Sequence, residues 1–177
     1  MSDIIKFILF DWSGTLAKEK TRSNFAFNKN NKLKYLNHGA LDTLEYLYLL
    51  DIPMGIVSNM NSIHHDDMQK AINKSGLDKY FLFNIFSNEP GLCAKPCYDI
   101  FELAMKHINA IDATIQPNQV LFVGNDYIND IIGASNYGFL SAYVQNIPIT
   151  QYDADVFKMG KQTFYLSSID DLISIIN

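Results

Sequence analysis

The sequence predicts an α/β fold, a doubly wound parallel sheet with helices on both faces. Its 177 residues, 48% hydrophobic and 19% charged, suit one domain with a substantial buried core. Short apolar runs bounded by turn residues recur along the chain, and stretches of helical periodicity lie between them. Strand and helix patterns that alternate in this way describe a parallel sheet covered on both sides.

The first apolar run, residues 4–10, reads as a buried strand and ends at Asp11. Residues 17–37 follow, polar and without a sustained period, with Asn-Lys-Asn-Asn-Lys at 28–32. This segment is expected to form a short hairpin or a mobile loop, too small to be a separate domain. A helical pattern at 40–50 leads to a second strand at 53–57, which delivers Ser58 and Asn59. A helix at 63–75 precedes a third strand at 83–86, and Lys95-Pro96 stands just before a helix at 98–108. The fourth strand, 119–123, delivers Gly124, Asn125 and Asp126, with Asp130 a few residues on in a helix at 127–136. A fifth strand at 139–144 and a final helix at 169–176 complete the pattern. No internal repeat or low-complexity tract interrupts it, so residues 1–177 are expected to form one domain with 17–37 as a basic flap or loop insertion.

Charge narrows the function. A net charge of −5 argues against a nucleic-acid binder that works through a broad basic surface. Six of the fourteen basic residues (Lys18, Lys20, Arg22, Lys29, Lys32 and Lys34) are nevertheless concentrated in 17–37, against the single acid Glu19. That cluster reads either as a solvated loop or as a rim that attracts an anionic substrate. No run approaches the roughly 18 apolar residues of a membrane span, and residues 1–10 lack the form of a cleavable signal. A cytoplasmic location is expected. Cys93 and Cys97 make neither a disulfide framework nor a C-x-x-C motif, and read as reduced loop cysteines. His64 and His65 have no partner spacing that would mark a metal site.

In an open parallel sheet, ligands bind beyond the carboxyl ends of the strands, so the residues that follow each strand share one rim. Asp11, Ser58, Lys95 and the acidic group at 125–130 would therefore meet. A carboxylate can attack phosphorus and form an acyl phosphate. Mg²⁺ takes oxygen ligands of the kind Asn125, Asp126 and Asp130 supply. Ser58 and the Lys95 ammonium would stabilise the transferring oxygens.

The four segments, in this order, resemble the motifs of the haloacid dehalogenase superfamily. Its first motif, a strand followed by D-x-D-G-T, corresponds to Phe7 through Asp11-Trp12-Ser13-Gly14-Thr15; its second to Gly55-Ile56-Val57-Ser58-Asn59; its lysine to Ala94-Lys95-Pro96; and its last, G-D-x-x-x-x-D, to Gly124-Asn125-Asp126 through Asp130. The resemblance runs from residue 4 to about 144. It implies a Rossmann-like core without a large cap domain, and Asp11 as the nucleophile. Ser13, Ser58 and Lys95 would take part in catalysis, and Trp12, Gly14, Thr15 and Asn59 would contact a small-molecule or protein-borne phosphorylated substrate. Mg²⁺ would be held by Asp11, the Ser13 carbonyl and the group Asn125, Asp126 and Asp130.

Two departures stand out. Ser13 occupies the position of the family's second aspartate, which protonates the leaving group and then activates water. A general acid/base of that kind is worth roughly 10²–10⁴-fold, and a serine hydroxyl does not replace it near neutral pH. Leaving groups that depart unprotonated, as from aryl, phosphotyrosine or acyl phosphates, are then expected to be favoured. Asn125 replaces the first aspartate of the last motif, its amide oxygen still able to ligate a metal, with Asp126 next to it. The rival expectation is a catalytically silent domain that keeps the fold for binding. Dehalogenation at carbon is disfavoured, because the acidic cluster would then have no metal to serve.

Overall fold

Alternate residues of the first strand part to opposite faces, as a strand buried on both sides requires. In the computed structural model, which describes residues 5–18, 29–60, 65–145 and 163–176, Phe7 and Leu9 of β1 (Phe7–Phe10) join one apolar cluster, and Ile8 and Phe10 join the other. All four are buried.

Among the described residues the sheet has six parallel strands in the order β3-β2-β1-β4-β5-β6. The others are β2 (Met54–Ser58), β3 (Phe83–Phe86), β4 (Val120–Gly124), β5 (Leu140–Val144) and β6 (Thr163–Leu166). Five match the expected runs within a few residues, and β2 and β4 each extend one residue further. Their final residues, Ser58 and Gly124, pair with Phe86 and Tyr143 and so carry the ladder to the rim. The sixth, β6, was not expected from the sequence. It is four residues long, pairs among the described residues with β5 alone, and buries only Leu166 fully, so its apolar signal is weak.

Helices cover both faces. On one lie α2 (Ala40–Leu49), α3 (His65–Ser75) and the short α6 (Leu172–Ile176), through Leu44, Leu47, Met68, Ile72, Leu172 and Ile176. On the other lie α4 (Tyr98–Ile111) and α5 (Gly133–Tyr137), through Ile100, Phe101, Ala104, Ile108 and Ala134. No helix among the described residues is long and apolar enough to cross a membrane, and the described residues include no large cap domain.

Three local expectations are corrected. In the described part of 17–37, Ala17 bridges antiparallel to Leu36, as the ends of a hairpin would, but Lys32–Tyr35 forms a one-turn helix, α1, that was not expected. Burial of Ala17 and Leu36 in the core ties the segment down. Arg22, Lys20 and the rest of 19–28 lie outside the described residues, as does the expected helix start at Ile63. The pattern at 127–136 is a π-helical turn, Tyr127–Ile132, running into α5. The C-terminal helix opens with a 3-10 turn at Ile169–Asp171, where Ser168 and Asp171 form a capping box.

Between β1 and β4 the strand order reverses: the chain leaves β1 for β2 on one side and returns from β3 to β4 on the other. The carboxyl ends of these two strands open the crevice in which doubly wound folds bind ligands.

Candidate active site

Asp11 follows β1 at this crevice, its amide donating to Val123 O of β4 at 2.9 Å. The residue is 6% exposed. Its Oδ1 accepts from Ser58 Oγ at 3.0 Å and from Lys95 Nζ at 2.7 Å. Among the described residues its Oδ2 has only the Thr15 hydroxyl, at 3.5 Å, and that hydroxyl is closer to Asn125 Oδ1 at 3.0 Å. One oxygen is thus fixed, while the other keeps lone pairs to offer.

Lys95 comes from the loop before α4, and only 3% of it is exposed. Its ammonium donates to Asp11 Oδ1, to Asp130 Oδ1 at 2.6 Å and to Val57 O at 2.8 Å, so its three protons meet three acceptors. Burial lowers the Lys95 pKa, but the charges of Asp11 and Asp130 outweigh it and leave the group above its ordinary value. Burial pushes the Asp130 carboxyl up to about 6, opposed by Lys95 and reinforced by Asp11. The other oxygen of Asp130 accepts from the Asp126 amide at 2.9 Å, so both its oxygens are engaged.

Two glycines make this approach possible. Gly14 adopts φ +86°, and the place of a Cβ there is filled by the Asn125 amide. At Gly124 a Cβ would collide with the Asp130 carboxylate. Gly14-Thr15 after Asp11 and Gly124-Asn125 at the end of β4 therefore record close packing of the two strand ends and their loops.

The remaining residues divide by position. Asp11, Ser13, Asn59, Lys95, Asn125, Asp126, Asn129 and Asp130 line one open cleft of about 320 Å³. Ser13 is exposed in it. Asp126 caps the π-helical turn, accepting from the Ile128 and Asn129 amides at 3.0 and 2.9 Å, and from Asn129 Nδ2 at 2.7 Å. Asn59 forms a reciprocal pair with the Lys95 backbone, accepting from its N–H at 2.8 Å and donating to its carbonyl at 2.9 Å. Trp12, read from the sequence as a substrate contact, is instead 3% exposed and packs in the α2-side core, because burial of the indole outweighs its exposure at the rim. Gly14 and Thr15 support the loop and do not line the cleft. Tyr127 packs edge-on against Tyr143 at 5.6 Å. His64 lies outside the described residues, and only the backbone of His65 is described.

Sequence reasoning missed three participants. Asn37 donates through Nδ2 to the carbonyls of Gly14 and Thr15, each at 2.8 Å, and so pins the loop after Asp11. It sits 22 residues from that loop in an aperiodic segment, without a local signal. Asn129, the residue before Asp130, reaches Asp126 and the cleft. Cys93 and Cys97 are joined in a disulfide, Cα–Cα 5.9 Å, which corrects the expectation of two reduced loop cysteines. The turn before α4 brings them within bridging range although their spacing fits no standard framework.

The six-stranded fold beneath this cleft has counterparts among known proteins. The sequence model of the haloacid dehalogenase-like hydrolase family matches residues 17–144. The chain is 29% identical over 103 residues to haloacid dehalogenase-like hydrolase domain-containing protein 3 of Xenopus laevis, over 58% of this chain and 38% of that protein. It is 31% identical over 124 residues to the glyceraldehyde 3-phosphate phosphatase of Methanothermobacter thermautotrophicus, over 70% of this chain and 50% of that protein. The chain thus spans half the length, or less, of these curated relatives. A crystal structure of a HAD phosphatase from Thermococcus onnurineus superposes with a TM-score of 0.71 at 16% identity, covering 98% of both chains, a likeness of fold. With most of its length matched by the family and the family's sheet beneath its site, the chain belongs to the haloacid dehalogenase-like hydrolases.

Proposed function

We propose that the chain is a Mg²⁺-dependent phosphatase that forms an aspartyl phosphate on Asp11 and favours aryl, phosphotyrosine or acyl phosphates. The observation that carries this is the Asp11 carboxylate at the switch point, with Oδ1 fixed by Ser58 and Lys95 and Oδ2 left to attack. Similarity to the glyceraldehyde 3-phosphate phosphatase of Methanothermobacter adds support for a phosphate ester as substrate.

The donor set fits Mg²⁺: the Asp11 carboxylate, the Ser13 carbonyl, the Asn125 amide oxygen and the Asp126 carboxylate are hard oxygen ligands around one cleft. A bound ion would supply charge stabilisation for the substrate's phosphoryl oxygens. Asp130 serves first to hold Lys95; the Asp126 oxygens also carry donors, from the Ile128 and Asn129 amides and Asn129 Nδ2, and would reach a metal through their remaining lone pairs. Lys95 contributes charge rather than a spare proton, since all three of its donors are in use. Ser58 orients Asp11, and Asn59 sets the backbone from which Lys95 projects. Ser13 offers no carboxylic proton to a departing alkoxide, hence the preference for leaving groups that need none. The same residue supports the rival reading, a silent binding domain.

One experiment separates them. With Mg²⁺ and p-nitrophenyl phosphate, the wild type should turn over and Asp11→Asn should not, while mass spectrometry should detect a phosphoryl adduct on Asp11. Absence of both turnover and adduct selects the silent domain. Sugar phosphates hydrolysed as fast as aryl phosphates would sink the substrate preference alone.

A further inference from the structure

The loop that carries Lys95 contains both cysteines of the chain, one on either side of it. We propose that Cys93 and Cys97 are a reversible thiol–disulfide modification site that clamps the backbone bearing Lys95.

The geometry is specific to this loop. Cys93 and Cys97 are half-buried, so reagents reach them, whereas Lys95 between them is 3% exposed. Their Cα atoms are 5.9 Å apart, within the range a disulfide spans without backbone movement. Cys97 occupies the position before the first turn of α4, where Ser, Thr, Asp or Asn would cap the helix, yet its side chain makes no capping hydrogen bond. The sulfur is therefore explained by its bond to Cys93 and not by a role in the helix.

What the bridge holds follows from the other contacts of the loop. The Cys97 amide donates to Ala94 O at 3.0 Å, and both backbone groups of Lys95 are held by the Asn59 side chain. The disulfide closes the remaining freedom of residues 93–97 into a ring with Lys95 at its middle. The three acceptors of the ammonium, on Asp11, Val57 and Asp130, lie outside that ring, so opening it removes none of them.

The chemistry balances with a disulfide oxidant of the glutathione class. One cysteine, as thiolate, attacks the oxidant's S–S bond and expels one thiolate, giving a mixed disulfide. The second cysteine thiolate then attacks the protein sulfur of that bond and expels the other. Two protein S–H bonds are oxidised to one S–S bond, the oxidant is reduced to two thiols, and the two protons pass to them. A small-molecule dithiol reverses the sequence.

The inference concerns the Lys95 backbone and is tested without turnover, so it stands or falls separately from the phosphatase reading. The full chain is equilibrated with glutathione disulfide or with dithiothreitol and alkylated in its folded state with iodoacetamide. No alkylation is expected in the oxidised form and two labels in the reduced form, interconvertible over repeated cycles. Amide hydrogen exchange across 93–98 should run roughly tenfold faster in the reduced form. The double variant Cys93→Ser/Cys97→Ser should show the fast rate in both conditions. Thiols that stay alkylatable after glutathione disulfide, or exchange across 93–98 that is equal in the two forms, overturn the proposal.

Discussion

Lys95 carries the heaviest electrostatic burden of any single side chain at the cleft, since its ammonium lies within 2.7 Å of two buried carboxylates. Lys95→Met would leave Asp11 and Asp130 without their shared cation, and breaking a buried pair from one side costs of order 3 kcal/mol or more. A fall of that size in urea-unfolding stability, together with loss of phosphatase turnover, is expected; stability within 1 kcal/mol of wild type, roughly the worth of an exposed pair, would show that the pair is solvated. Ser13 tests the chemistry in the opposite direction. Ser13→Asp restores a proton donor in the cleft and should raise kcat on alkyl phosphates by about 10²–10⁴-fold. An unchanged kcat on alkyl phosphates would show that protonation of the leaving group does not limit the rate. At this scale Asp11, Ser58, Lys95, Asn125, Asp126 and Asp130 were legible as one rim, because each stands at or just beyond a strand end or near the start of a helix, in a fixed order. Asn37 was not, because its bonds to the carbonyls of Gly14 and Thr15 depend on where an aperiodic segment is tied.

Among the elements, α4 and α5 form the face beneath Lys95, and Phe101 is their keystone. It is fully buried, its ring 5.5 Å from Phe122, 6.1 Å from Phe139 and 6.3 Å from Tyr137. Phe101→Ala should cost about 3–5 kcal/mol, read as a lower urea midpoint with an unchanged slope. A loss below about 1 kcal/mol would mean that this face collapses to refill the space. The helix pattern at 127–136 was legible as helical but not as a π-helical turn. Which hydrogen-bond ring closes there is set by Asp126 as its cap and by Asp130 held back toward Lys95. β6 escaped for a different reason: a short edge strand buries too little to leave a strong apolar run.

For the whole molecule, the balance of stability at high pH rests in part on phenols at the joins between elements. Burial, then the hydrogen bond to Glu102 at 2.6 Å, raises the Tyr137 pKa well above the usual 10.0. A folded-state pKa above the unfolded value gives stability that is complete below about pH 10 and is lost as pH rises through the folded value. Urea midpoints should therefore be level up to about pH 9.5 and fall beyond it, with a smaller fall in Tyr137→Phe. An identical decline in the variant would remove Tyr137 from the cause.

The sequence by itself determined the alternation of strands and helices, since burial on both faces demands unbroken apolar runs. It also determined which polar residues stand at the strand ends. Only the tertiary structure decided the bridge that the Lys95 ammonium makes between Asp11 and Asp130, the inward turn of Trp12, the Asn37 and Asn59 clamps, and the pairing of Cys93 with Cys97. Periodicity reports how much of a segment is buried; these contacts join residues far apart in the chain, or close a turn whose path the sheet and helices set, and no local pattern encodes them.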